Sequence, residues 1–286
     1  MNKITIFSII LIMLLTPTFA ISSEHILVAT NTRTINSYEN YIKKNGGDPL
    51  LISDYGGPEM SRSLVSLLIL IQALHAGEFD CEMEFKCYPN SGRAMTEVKK
   101  GKVTLLAEDM CKSDFDESVY MTTPLIQAGD FQKGIYVKKD SCLLDMCPPF
   151  ESLKKQIPLI GNTWAADSKL LKKMGFTHIE TAPKYELIYK MMGKGRADFS
   201  LIEFPNRDNL SRTVENIELR PIPNAKIVFA DSRNFMISKK HHQGKCVYKS
   251  LEKGLRILRE NGTIDRALRQ SGVINERTKD WAVVYP

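Results

Sequence analysis

The stretch that decides the fold is Gly193-Lys-Gly-Arg-Ala-Asp-Phe-Ser-Leu-Ile-Glu203. Ahead of it, Thr181-Ala-Pro183 opens a helix whose apolar positions Tyr185, Ile188, Met191 and Met192 fall at helical spacing. Gly193 to Gly195 stops that helix, and Ala197 to Ile202 then reads as a buried strand ending on a carboxylate, Glu203. A helix, a glycine stop and an apolar strand with a polar end form the repeating unit of an α/β layer. Earlier in the chain, Ser91 caps a helix to Lys100, Gly101 stops it, and Val103 to Ala107 reads as a strand running into Glu108-Asp109.

The flanking sequence follows the same grammar. Residues 25–31 are a short apolar strand with polar residues at its end. Gly56-Gly57-Pro58 precedes a helix from about Glu59 to Ala76, and residues 81–88 read as a second strand. Residues 134–138 form another strand. The Cys/Pro-rich segment 141–149 follows, and composition changes there, as at a domain boundary. A second α/β set begins with Pro158-Leu-Ile-Gly161, and Asn162-Thr163-Trp164 opens a helix to about Met174. Short strands are expected around Pro221-Ile-Pro223 and Phe235-Met-Ile237. The tail is helical, from Val247 to Glu260 with a stop at Asn261-Gly262, then from Thr263 through Leu268. Alternating strands and helices predict α/β layers with a mostly parallel sheet.

The 286 residues allow one large domain or two ordinary ones, and 43% hydrophobic with 25% charged residues excludes a disordered or fibrous chain. The net charge of +6 is mild and its cations are spread along the chain, so no nucleic-acid partner is expected. Met1-Asn2-Lys3, an apolar run from Ile4 to about Leu15 and small residues at Thr18 and Ala20 read as a signal peptide, residues 1–20, cut after Ala20. The run is shorter than the roughly 20 apolar residues of a membrane span. No cysteine adjoins the cut to carry a lipid anchor, so the mature chain is expected to be soluble and periplasmic.

Export places the six cysteines, Cys81, Cys87, Cys111, Cys142, Cys147 and Cys246, where disulfides persist. Cys81 and Cys87 lie on one expected strand, so their Cα atoms are about 20 Å apart, beyond the roughly 4.4–6.8 Å that a disulfide spans. Cys142 and Cys147 share a loop-like stretch and are candidates for a small ring. His241-His242 precede Cys246 without CxxC or HxxxH spacing, so neither a metal nor any other cofactor is expected.

Four stretches in this order resemble the bacterial extracellular solute-binding proteins of family 3. Gly101-Lys-Val-Thr-Leu-Leu-Ala107 is similar to the family's "GkvD" strand. Met121-Thr-Thr-Pro-Leu125 followed by Gly134-Ile-Tyr-Val-Lys-Lys139 resembles "sxPy…g…vvrk". Gly193 to Glu203 resembles "l..GraDa.i.e", and Leu251 to Ile264 resembles "ln.gl..l.edGti". The likeness covers nearly all of residues 24–275. It implies the two-lobe type 2 periplasmic binding protein fold, α/β, with a hinge and a ligand cleft between the lobes. Lobe I would be residues 24–137 and 232–286, and lobe II residues 138–231. It also implies a monomer that captures a small solute for an ABC transporter permease or a sensor.

Ligands of open α/β sheets bind outside the carboxyl ends of strands, and pockets favour domain interfaces. Strand ends and helix starts give Asn31, Tyr55, Arg62, Arg93, Glu108, Asp109 and Met110 in lobe I, and Thr163, Trp164, Glu203 and Phe204 in lobe II. Thr163 would offer helix-start N–H groups or serve as a cap; Trp164 would stack on a flat ligand or fill core. Glu203 falls where the resemblance places an acid that pairs with a ligand amine. Family members that bind amino acids carry an Arg in a "tiTpeR" motif, whose fork grips the α-carboxylate. The corresponding run, Glu108 to Asp116, has acids and Lys112 but no Arg. A cationic, amine-bearing or hydroxyl-rich solute is therefore expected in preference to a standard amino acid. Two other readings are an enzyme on the same fold, of the dehydratase or lyase type, and a ligandless signalling or structural partner. The chain shows no Ser-His-Asp or Cys-His motif for the first, so no enzymatic activity is expected. The second would require a cleft filled by the protein's own side chains.

Overall fold

The computed structural model describes residues 24–145 and 150–285. Residues 1–20, read as a signal peptide, and Cys147, read as the partner of Cys142, lie outside the described residues.

The first part of the chain forms β1 (Glu24–Asn31), α1 (Thr32–Lys44), α2 (Arg62–Ala76), β2 (Cys81–Tyr88), α3 (Ser91–Lys99), β3 (Leu105–Leu106), β4 (Met110–Cys111) and β5 (Val119–Met121). The middle forms β6 (Gln132–Lys138), α4 (Phe150–Leu153), β7 (Pro158–Gly161), α5 (Ala165–Lys173), β8 (Glu180–Ala182), α6 (Tyr185–Gly193), β9 (Phe199–Glu203), β10 (Arg212–Val214) and β11 (Ile217–Val228). The last part forms β12 (Arg233–Asn234), β13 (Met236–Ser238), α7 (Gly244–Glu260), α8 (Thr263–Gln270) and β14 (Ala282–Tyr285).

These strands make two large sheets, ordered β2-β1-β3-β13-β5 and β10-β11-β6-β9-β7-β8 with β14 paired to β11, and a two-stranded β4–β12 ribbon. Cys81 and Cys87 both lie on β2, at the positions facing Glu24 and Thr30 of β1, so a bond between them is excluded. Each sheet is mixed rather than mostly parallel. β1 runs parallel to β2 and β3, and β7 parallel to β8 and β9. The strands that carry the chain between sheets, β6 and β13, run antiparallel to their neighbours because each enters its sheet from the opposite side. β6 and β14 both hydrogen-bond into the second sheet, so by strand pairing this sheet includes residues on both sides of the expected 138–231 segment.

The chain passes between the sheets in two adjacent strips. Leu125 N–H donates to the Arg233 carbonyl at 2.8 Å, Arg233 N–H to the Ile126 carbonyl at 2.9 Å, and Phe229 N–H to the Phe131 carbonyl at 2.9 Å. Two strips bonded to each other make a pliable two-stranded connection between two rigid layers, as a hinge requires.

Helix α2 is apolar nearly all round. Leu64 to Leu70, Gln72, Ala73 and Leu74 are buried, as expected of a central helix. α7 crosses it where side chains are missing. A Cβ on Gly254 would lie 1.7 Å from the Ala73 carbonyl oxygen, and one on Gly77 2.0 Å from that of Ser250. These glycines let the two backbones touch at the C-terminal end of α2.

Candidate functional site

Strand ends and helix starts from both sheets converge on one cleft. Ser61 caps α2 through its hydroxyl, which accepts from Leu64 N–H at 3.4 Å, and so sets Arg62 at the first helical position. β3 leads into Glu108-Asp109, and β9 ends on Glu203 opposite them. The Arg62 guanidinium lies between the lobes. Its Nη1 donates to Asp109 Oδ1 at 2.7 Å and its Nε donates to Glu203 Oε1 at 2.8 Å.

A charge network surrounds this bridge. The Asp109 carboxylate also accepts from the Ser66 hydroxyl and from Arg233 Nε. Arg233 Nη2 donates to the Asp109 carbonyl at 2.7 Å. Across the cleft, Lys133 Nζ bonds Asp167 Oδ1 at 2.6 Å, and both side chains are buried. Phe131 is the apolar centre, with its ring centroid 4.5 Å from the Arg233 guanidinium carbon, 5.8 Å from that of Arg62 and 5.8 Å from Lys133 Nζ. Trp164 covers Lys133 Nζ at 4.3 Å. Arg62, Lys133 and Arg233 thus face Asp109, Asp167 and Glu203, with Glu108 a further buried carboxylate acting on Arg62.

Burial alone would raise the Glu203 carboxyl, but the Arg62 guanidinium, helped by Lys133 and Arg233, brings it down to about 2. Asp109 is likewise pushed up by burial and pulled further down by Arg62 and Arg233, so it ends below the usual carboxylate range. Asp167 goes the other way, because its burial outweighs the attraction of Lys133 and raises its carboxyl.

The sequence-derived candidates divide. Arg62, Asp109 and Glu203 are joined directly. Glu108 is buried beside them and accepts from the Thr34 hydroxyl at 2.9 Å, the Ser91 hydroxyl at 3.1 Å and the Asn31 amide. Asn31 also caps α1, its side chain accepting from Thr34 N–H at 3.0 Å. Trp164 reaches the cleft as the cover on Lys133. Thr163 is exposed and faces α3 of the other lobe, where a Cβ on Gly92 would lie 2.7 Å from its methyl carbon. The helix starts at Ala165, two residues beyond Thr163, and the acid in its first turn is the chain's own Asp167. Its N-terminal end therefore already faces a carboxylate.

Three candidates are used otherwise, and a fourth, Phe204, has a double role. Tyr55 is a core residue whose hydroxyl donates to Gln72 of α2 at 2.6 Å, so its polar group is spent inside lobe I. Arg93 is exposed and pairs with Glu97 one turn along at 3.1 Å. Met110 lies in the β4–β12 ribbon opposite Asn234, packed with the cluster around Ala94 and Leu106. Phe204 packs edge-on against Trp281, ring centroids 5.4 Å apart, within the second lobe's core, and also lines the small cavity beside Arg62 and Glu203.

Lys133, Asp167, Arg233, Ser66 and Phe131 escaped the sequence reading. The signal present was a lysine between Phe131 and the apolar run 134–137. The segment from Glu108 to Asp116 indeed lacks an arginine, yet two guanidiniums reach the same place from α2 and β12.

No family model matches the chain, and no curated protein matches it. Solved structures do. An arginine transport system periplasmic binding protein from Legionella pneumophila aligns over 87% of this chain and 100% of its own, at 13% identity and TM-score 0.60. A probable amino-acid ABC transporter extracellular-binding protein from Bacillus subtilis aligns over 87% and 99%, at 18% identity and TM-score 0.57. The chain has the type 2 periplasmic binding protein fold. An ancestral amino acid-binding protein, a precursor of cyclohexadienyl dehydratase, shares this fold over 86% and 95%, at 16% identity and TM-score 0.53.

Proposed function

We propose that this protein captures a small, polar, amine-bearing solute between its lobes, outside the cytoplasm, and presents it to a membrane transporter or sensor. The observation that carries this reading is the meeting of Arg62 and Asp109 from one lobe with Glu203 from the other. Charged groups from both lobes, aimed at one point in a hinged cleft, are what a polar solute needs in order to be held and enclosed. Glu203 supplies a permanent carboxylate for an amine. The Arg62 edge that now bonds Glu203 would face an anionic or hydroxyl group on the same solute.

The electrostatics of Glu203 and Asp109 support binding over catalysis at these two groups. A general acid or base works best with a pKa near the operating pH. Glu203 at about 2, and Asp109 lower still, hold charge and do not trade protons near neutrality. Among the described residues, no helix is long and apolar enough to cross a membrane.

A second reading, a ligandless partner, draws support from how full the cleft is. Beside Arg62, Phe131 and Glu203 there remains about 10 Å³, room for the centre of one water molecule. The test that separates the two is capture. The folded protein is incubated with a small-metabolite extract, washed, unfolded and its released molecules identified by mass spectrometry. Solute binding gives one amine-bearing molecule in near-stoichiometric amount. Release of nothing from wild type under conditions where the protein is folded supports the ligandless reading.

A further inference from the structure

The cleft holds an occupant that belongs to the chain. We infer that Arg62 is a tethered internal ligand: in the solute-free protein its guanidinium fills the place between Asp109 and Glu203 and latches the lobes shut. The latch itself is independent of the proposed solute. Its consequence, that an incoming amine must take Glu203 from Arg62, rests on the solute-binding reading.

The two ends of the bridge are built differently. Asp109 is fully enclosed and held by Ser66 and Arg233 of its own lobe as well as by Arg62. This end stays made whether the cleft is open or shut. The Glu203 side chain keeps 27% of its surface exposed, and among the described residues Arg62 is the partner that its carboxylate bonds. The other bond at Glu203, from Arg212 Nε at 2.6 Å, goes to its backbone carbonyl and leaves the carboxylate free to exchange. Opening therefore breaks the bridge at Glu203, and a competing cation enters there.

The cleft is shut along its length as well as at the bridge. Thr163 meets α3 at Gly92, and the Arg33 guanidinium of lobe I lies 4.0 Å from the ring centroid of Tyr185 in lobe II. With about 10 Å³ left beside Arg62, against roughly 300–1,000 Å³ for small-molecule pockets, a solute cannot enter unless the bridge parts. A site whose competent state is only fractionally populated binds with an apparent affinity lowered by that fraction. Arg62 thereby sets a threshold that only a solute making stronger contacts with Glu203 can cross.

The experiment is small-angle X-ray scattering on the solute-free protein, so a metabolite screen without hits leaves it unaffected. Purified wild type is unfolded, refolded and dialysed first, to remove any carried solute. The latch requires a compact wild type, and an Arg62→Ala variant with a larger radius of gyration. Methylguanidinium, which refills the vacated place without a tether, should return Arg62→Ala to the wild-type dimension; methylammonium at the same concentration should do so less. Glu203→Gln, isosteric and without the charge, should open as well, and it covers the case in which Arg62→Ala fails to fold. A wild type as expanded as either variant overturns the latch. So does an Arg62→Ala protein that stays compact, or one that opens and ignores methylguanidinium.

Discussion

At the scale of single residues, the cleft is governed by Asp109. Removing one partner of a buried ionic set leaves the others charged and unpaired, at a cost of about 3–5 kcal/mol. Asp109→Ala strands the Arg233 guanidinium and leaves Arg62 with Glu203 alone, and should lose stability in that range by urea unfolding. Glu203 makes the protein's stability depend on acid. Its carboxyl lies at about 2 against an ordinary 4.5, so the folded state favours the ionised form. That contribution, on the order of 3 kcal/mol, is complete above pH 4.5 and is lost as pH falls toward 2. A Glu203→Gln protein should show a flatter stability profile between those limits, measured by urea midpoints at a series of pH values. The Lys133–Asp167 pair has the opposite sign, because burial raises Asp167 despite its partner. Lys133→Met alone should therefore cost about 3–5 kcal/mol, whereas Lys133→Met with Asp167→Leu should recover most of that loss.

Much of this residue-level detail was legible in the sequence, and the reason is positional. Arg62, Glu108, Asp109 and Glu203 stand at strand ends and a helix start, where an α/β fold puts ligand groups. Arg233 and Lys133 stand at strand beginnings on the crossing strips, and Ser66 lies one turn inside α2. Their approach to the cleft depends on how the two sheets are joined, which local pattern does not carry. Tyr55 misled for the converse reason: a tyrosine next to Gly56-Gly57 reads as a loop residue, and its bond to Gln72 spans 17 positions.

At the scale of elements, α2 decides where the site stands, and α7 holds α2 in place. Gly254→Ala would drive a methyl into the Ala73 carbonyl, which helix backbone cannot avoid by a rotamer change. Overpacking of this kind costs about 1–3 kcal/mol, and more where backbone must move. The variant should unfold at a lower urea midpoint than wild type. Helix α1 was missed in the sequence because Thr32 to Lys44 is polar and follows β1 without a breaker. Asn31 ends the strand and caps the helix at once, its side chain accepting from Thr34 N–H. The long tail helices were legible because Leu251, Leu255 and Leu258 repeat at helical spacing before Asn261-Gly262.

At the scale of the whole molecule, two mixed sheets are joined by paired strips and shut over a network of buried cations and carboxylates. Pairing within that network lets a closed cleft exist without a guest. The measurement that tests solute capture most directly is thermal unfolding of the protein, expressed from residue 21 onward, against a panel of amines, amino acids, sugars and organic acids. A ligand present at 100 times its dissociation constant adds about 2.7 kcal/mol, a shift of about 5 °C at this size. The account expects an amine-bearing compound to raise the wild-type midpoint by that amount and to leave Glu203→Ala unmoved. A compound that shifts both proteins equally, or a panel in which no amine shifts wild type, would contradict it.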